Sequence, residues 1–224
     1  MRHNKDSLVV NRVKTAAERM QVITVLHATY LQEKGWVNDP AAQIPEQDLE
    51  REDISWFVVS INKQPVGVLR IFYDPPLHTY TEYGLEMLID AKNLNISDFL
   101  NTNRIAEIGR FAVITERRNQ IMVAAALMKA AVEETVVRGY THYITDVFED
   151  DPHSPYGFHT RVMGFVPVAT HAHGELRSKS RRITLILDLK VAYQRLKRHS
   201  RWLFRFLTGG WSERLHRKLS HSTA

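Results

Sequence analysis

Apolar side chains recur at three- and four-residue spacing at Val22, Val25, Leu26, Thr29 and Tyr30, which predicts a helix over 15–34. Thr15, with Glu18 three residues on, has the form of a capping box, and Gly35 stands where a helix ends. The period then changes. Ile54 to Ile61 and Val66 to Tyr73 are β-rich runs, and Asn62-Lys63-Gln64-Pro65 between them reads as a hairpin turn. Pro75-Pro76 stops the second run. Residues 36–53 read as an irregular acidic loop. Residues 75–102 read as a mixed insertion with a short helix around Leu85 to Ala91. Arg104 to Ile114 predicts a third strand, and a long helix rich in alanine and methionine follows from about Asn119 to Arg138, with Gly139 as its C-cap. Thr141 to Phe148 is a strand, His153 to Met163 a short helix closed by Gly164, and Phe165 to His171 and Ile183 to Leu189 the final strands. The pattern is mixed α/β. Its central strand–helix–strand unit should pair in parallel.

A chain of 224 residues can bury a full core without staples. With no cysteine, disulfides, thiolate metal sites and a cysteine nucleophile are excluded. His171-Ala172-His173 has no third ligand at suitable spacing and reads as a surface turn; no metal site is expected. Met1 to Arg19 is polar, without an apolar core of signal-peptide length, and the apolar runs elsewhere are short, so the protein is expected to be cytoplasmic. The net charge of +5 is local. Residues 190–221 hold nine Lys and Arg against Glu213 alone. Over 190–207 they form an amphipathic helix, with Leu196, Leu203, Phe206 and Leu207 on one side and Arg195, Arg198, Arg201 and Arg205 on the other. The expected division is therefore a domain at 1–189 and a basic helical appendage at 190–224. Such a helix is either an ordinary packed helix or a surface for an acidic protein or anionic membrane.

Val113 to Leu127, VITERRNQIMVAAAL, resembles the strand–loop–helix of GCN5-type N-acetyltransferases (GNAT). Val113 matches the strand end, Arg118 the loop arginine, and Ala125 and Leu127 the helix. Arg161-Val162-Met163-Gly164-Phe165 resembles the same family's short helix ending in Gly-Phe. Thr115 replaces a proline, and Ile121 and Val123 stand at two glycine positions. Glu107-Ile108-Gly109-Arg110-Phe111 is similar to a strand of acyl-homoserine-lactone synthases, and Tyr30-Leu31-Gln32-Glu33-Lys34-Gly35 to the first helix of N-acyl amino acid synthases. The resemblance implies the GNAT acyltransferase fold, a mixed central sheet flanked by helices. It covers about Ile54 to Leu189.

The chemistry implied is aminolysis of a thioester. Its donor is an acyl-phosphopantetheine, carried by acyl carrier protein or coenzyme A, and no cofactor is bound permanently. The donor is expected along the strand edge Arg110, Phe111, Ala112 and Val113, where a backbone N–H can stabilise the oxyanion. Glu107 is the candidate base for the acceptor amine, with an ion pair to Arg104 or Arg110 as its structural alternative. Arg110 points opposite to Glu107 in a regular strand, and a β-bulge would change that. It is expected to position rather than catalyse. Arg117, Arg118 and Asn119 are expected to meet the donor phosphate at a helix N-terminus. Thr160 stands where the family has a thiolate-protonating Tyr, with His159 and Tyr156 as neighbours that could substitute. Two β-branched residues should crowd a diphosphate cradle that glycine leaves open. Acyl carrier protein is therefore the expected donor and an amino acid amine the acceptor. The partners expected are these two and, through the basic helix, the inner membrane face, with no nucleic acid. An acetyl-coenzyme A-dependent N-acetyltransferase, an acyl-homoserine-lactone synthase and a non-catalytic binding module on the same scaffold are the alternatives.

Overall fold

The computed structural model describes residues 7–77, 82–92 and 94–220. The expected insertion therefore lies partly outside the described residues. The chain divides into two compact units. One runs to Phe72 and includes Gly109–Val132; the other comprises Tyr73–Ile108 and everything from Glu133 on.

In the first unit, β1 (Leu8–Arg12), β2 (Ile54–Ile61) and β3 (Gln64–Tyr73) pair as an antiparallel meander. β1 lies within the polar segment Met1 to Arg19, where no strand is expected from the sequence; its alternating half-buried and exposed positions suit an edge strand. The β2–β3 turn is tighter than expected. Asn62 (φ 50°) and Lys63 (φ 69°) are both left-handed, as in a two-residue type I′ turn, and Pro65 lies inside β3 at a register shift opposite Ser60. All eight residues of β2 are buried. Helix α1 (Ala16–Leu26) has the expected capping box: the Glu18 N–H donates to Thr15 Oγ1 at 3.2 Å, and the Thr15 N–H donates to Glu18 Oε2 at 3.1 Å. It continues as a π-helix over His27–Glu33, and its buried face holds Val22, Val25, Leu26, Thr29 and Tyr30. The acidic loop contains 3₁₀ turns at Ala41–Gln43 and Glu46–Leu49, with Trp56 Nε1 donating to Asp48 Oδ2 at 2.9 Å.

Strand β5 (Ile105–Val113) contributes to both units. Where it ends, the Ile114 N–H donates to the Val66 carbonyl at 2.9 Å. Gly67 permits this approach. A Cβ there would meet Val59 Cγ1 at 3.0 Å, the Ala112 carbonyl oxygen at 3.1 Å and Leu127 Cδ1 at 3.3 Å.

In the second unit the strand order is β5, β6 (His142–Phe148), β8 (Arg182–Asp188), β7 (Val166–His171) and β4 (Glu86–Met87). β5 and β6 are parallel, as expected; the other ladders are antiparallel. The helix anticipated near Leu85 is instead β4 and a 3₁₀ turn at Ile89–Ala91, followed by α2 (Ile96–Thr102). Pairing with Thr170 and Ala169 overrides local preference at Glu86 and Met87. The long helix α3 (Ile121–Val137) starts in the first unit and ends in the second. There Tyr143 Oη donates to Thr135 Oγ1 at 2.6 Å. The short helix before Gly164 has π geometry over Phe158–Met163. Gly164 closes it at φ 94°, with the Arg195 guanidinium where a Cβ would lie.

The single helix expected over 190–207 is two, α4 (Leu189–His199) and α5 (Arg201–Thr208), followed by α6 (Glu213–Ser220). Ser200, at φ −143° and ψ 69°, breaks the run. The break lets Tyr193 pack edge-on to Phe204, with ring centroids 5.0 Å apart, while its hydroxyl meets His216 Nδ1 at 2.8 Å. Lys218 Nζ donates to the carbonyls of Val136 and Val137, both at 2.8 Å, closing the C-terminus of α3. Among the described residues, no helix is long and apolar enough to cross a membrane.

Candidate functional site

β5 carries the candidate residues Glu107 and Arg110 to Val113, and it is not a regular strand. Arg110 has φ 51°, a left-handed conformation that costs a non-glycine residue about 1 kcal/mol. One such residue inside a strand breaks the two-residue alternation, as a bulge does. The Arg110 side chain is held by Gln43, its Nε donating to Oε1 at 2.9 Å. Ala112 is buried, while Phe111 and Val113 are half-buried.

The loop after β5 is built around Arg118. Its Nε donates to the Val113 carbonyl at 3.2 Å, and its Nη2 pairs with Glu33 at the end of the first helix. Thr115 Oγ1 donates to the same Glu33 carboxylate at 3.2 Å. Burial opposes ionisation of Glu33, but the Arg118 hydrogen bond and charge, with Lys34 and Thr115, hold its carboxyl below the usual range. Arg118 Nη1 is buried and has no hydrogen-bond partner among the described residues. Arg117 is half-buried, and Asn119 is exposed before α3. The two β-branched residues part company here. Val123 is 0% exposed and belongs to the core, whereas Ile121 is 41% exposed at the helix start. Only one of the two side chains therefore stands at the open end.

The second unit presents a different surface. Residues paired across a ladder point to the same side, and sides alternate along each strand. The register Ile105↔His142, Glu107↔Ile144, Ile144↔Ile186 and Asp146↔Thr184 places Ile105, Glu107, Ile144, Asp146, Ile186 and Thr184 on one face. Tyr143, on the opposite face, is the residue that reaches Thr135 of α3. Insertion residues Leu77, Tyr83, Leu85, Phe99 and Leu100 pack with Ile186 over Ile105 and Ile144. Glu107 is half-buried beside this apolar cover.

His171 also belongs to this face, through His171↔Arg182 and Arg182↔Phe148. It is not the surface turn that His171-Ala172-His173 suggested, since it is 2% exposed. Its Nδ1 donates to the His173 carbonyl at 2.7 Å, and its Nε2 lies 3.2 Å from Asp146 Oδ1, off the line of a hydrogen bond. The sequence pattern set His171 aside as part of a turn and did not single out Asp146. The available signal was Asp146 as the one charged residue inside the strand run YITDVF.

Of the two neighbours of Thr160, His159 is wholly buried. Burial pushes its pKa down to about 3, so it is neutral, and its ring meets Phe165 edge-on at 4.9 Å. Tyr156 is exposed. On the C-terminal helices, Arg198, Arg201 and Arg205 are exposed, as is Trp202 at 53%. Arg195 is not part of that surface: its Nη2 donates to the Val162 carbonyl at 2.6 Å.

The family model for the N-acyl amino acid synthase FeeM matches residues 21–178. The chain belongs to that family. The solved structure of FeeM, from uncultured soil microbes, is similar with a TM-score of 0.64 at 14% identity, covering 85% of this chain and 94% of that one. An aminoglycoside 6'-acetyltransferase type Ii is similar at TM-score 0.55 and 14% identity, covering 81% and 97%. A GNAT-family putative acetyltransferase from Desulfovibrio desulfuricans is similar at TM-score 0.55 and 12% identity, covering 82% and 99%. A sequence search of curated proteins finds no match. The fold is thus the GNAT-like acyltransferase fold, a mixed sheet with flanking helices that has eight strands among the described residues, and the protein is an acyltransferase.

Proposed function

We propose that this family member transfers a medium or long acyl chain from acyl carrier protein to the amine of an amino acid. The observation that carries the reading is the family match over residues 21–178. The step is aminolysis. The amine nitrogen attacks the thioester carbonyl, a backbone N–H of the Arg110–Val113 segment receives the oxyanion, and Glu107 takes the amine proton. Collapse breaks the C–S bond, and the thiolate is protonated to free pantetheine thiol, leaving an amide. His159, neutral and buried, is unsuited to that last transfer; Tyr156 or water supplies it.

Three observations favour a carrier-borne donor. Ile121 occupies the open end of α3, where a diphosphate would need close backbone approach. Half-buried Arg117 and exposed Asn119 stand before α3 and suit a single phosphate, with Arg118 holding the loop through Glu33 and the Val113 carbonyl. Arg198, Arg201 and Arg205 offer a cationic surface to an acidic partner, whether carrier protein or the inner membrane face. The second reading is an acyl-coenzyme A donor, favoured by the fold likeness to an aminoglycoside 6'-N-acetyltransferase complexed with coenzyme A, at TM-score 0.55. The reading places the enzyme in the cytoplasm.

The test offers one dodecanoyl chain on acyl carrier protein or on coenzyme A, with each proteinogenic amino acid in turn, and detects N-acyl products by mass spectrometry. A higher kcat/KM with the carrier protein supports the reading. Equal or better use of the coenzyme A thioester removes the donor assignment, and no product with any acceptor removes the function. Ile121→Gly should improve use of the coenzyme A donor. Val123→Gly should instead lower stability by opening a cavity, because Val123 is wholly buried in the core.

A further inference from the structure

The acceptor side of this reaction has so far been assigned one residue, Glu107. The same sheet face carries a second carboxylate with an unusual setting. Asp146 sits one strand over from Glu107 and two residues further along, roughly 8 Å away between Cα atoms for ordinary strand spacings. On its own face along β6 its neighbours are apolar: Ile144, buried under the insertion, and Phe148. A lone charge costs too much in such a place unless it is held or used.

It is held on one oxygen. Oδ1 accepts from Thr184 Oγ1 at 2.8 Å and faces His171 Nε2 at 3.2 Å. The His171 ring is itself fixed, by its Nδ1 bond to the His173 carbonyl and by Tyr83, which stacks on it with centroids 5.6 Å apart and planes 11° apart. Arg182 adds positive charge nearby while its own N–H groups go to the carbonyls of Ala172 and Leu176. Oδ2, by contrast, has no partner among the described residues, and the side chain keeps 25% of its surface exposed. A carboxylate braced through one oxygen, with the other open beside an apolar floor, is suited to a hydrogen-bond donor arriving from outside. On the acceptor side of an N-acyltransferase that donor is a primary ammonium or amine.

We propose that Asp146 anchors the amine of the amino acid acceptor through Oδ2, with Thr184 and His171 as its positioning residues, while Glu107 on the same face takes the proton. The inference rests on the N-acyltransferase reading. The two carboxylates then divide the work: one fixes the nitrogen, the other removes its proton as it attacks.

The experiment compares steady-state kinetics of wild type, Asp146→Asn and Glu107→Gln, with the dodecanoyl donor and amino acid that the wild type uses best. Asp146→Asn keeps an oxygen for Thr184 and loses the charge. Its acceptor KM should rise about 10-fold or more, the size of a lost charge-assisted hydrogen bond, with donor KM unchanged and kcat changed far less. Glu107→Gln should show the opposite split, with kcat reduced about 10²-fold. An Asp146→Asn enzyme with unaltered acceptor KM overturns the assignment while leaving the acyltransferase reading intact. A wild type that acylates no amino acid with either donor overturns both. If the Asn variant does not fold, Thr184→Val serves instead. It leaves the carboxylate but frees Oδ1, and should raise acceptor KM several-fold; an unchanged value again overturns the proposal.

Discussion

At the scale of single residues, environment rather than identity decides what each histidine does. His159 and His171 are both buried, yet His171 is bound to a carbonyl and faces a carboxylate, whereas His159 lies among aromatic rings. Burial holds the pKa of His159 at about 3, against roughly 6.5 for an unfolded histidine. The folded form resists protonation that the unfolded chain accepts. Stability from this residue is therefore full above the unfolded value and is lost as pH falls from about 6.5 toward 3. Between pH 7 and 5 the loss should be roughly 2 kcal/mol. Urea unfolding of wild type and His159→Phe across that range reads it: the variant should show a shallower pH dependence, and parallel curves would mean that His159 titrates normally. Arg110 makes a related point in the backbone. The residue type gave no hint of φ 51°; only the strand's surroundings impose it.

Among elements, local signals were legible where the partner is local. The Thr15–Glu18 capping box, the stop at Gly139 and the β2–β3 hairpin all appear where the residues indicated. Termini satisfied from a distance were not legible. Lys218 closes α3 from 81 and 82 residues away, and its neighbours in sequence say nothing of that. Lys218→Met should lower stability by about 1 kcal/mol by leaving two helix-end carbonyls without their cation. Thermal melting checks this; an unchanged midpoint would show that water serves those carbonyls equally well. The split at Ser200 belongs here too. The apolar spacing of Leu196, Leu203 and Leu207 fits one helix, but Tyr193 packs on Phe204 only if the chain bends.

For the molecule as a whole, charge is distributed by use. Among the C-terminal cations, Arg195 is spent on Val162 and Lys218 on α3, whereas Arg198, Arg201 and Arg205 are left outside. Reversing the latter three to Glu should raise KM for an acyl–carrier-protein donor several-fold and leave KM for the coenzyme A thioester unchanged. The wild-type advantage should fade at high salt, where the Debye length falls to about 3 Å at 1 M. Equal effects on both donors would assign these arginines to stability rather than docking.

By itself the sequence determined the order of most helices and strands, though not β1, β4 or the break at Ser200, together with the parallel pairing at the centre and the family, because periodicity, caps and the loop from Val113 to Leu127 are written in neighbouring positions. It also nominated Glu107 and the residues after β5. Tertiary structure decided the rest. It turned Val123 inward and left Ile121 at the helix end, although both look alike in the loop motif. It tied Arg118 to Glu33, 85 residues away. It set Glu107, Asp146 and His171 on one face, which only the register of four strands can do. A side chain's face and partners depend on which strand lies beside it and in what register, and a one-residue slip would send each of them to the other side.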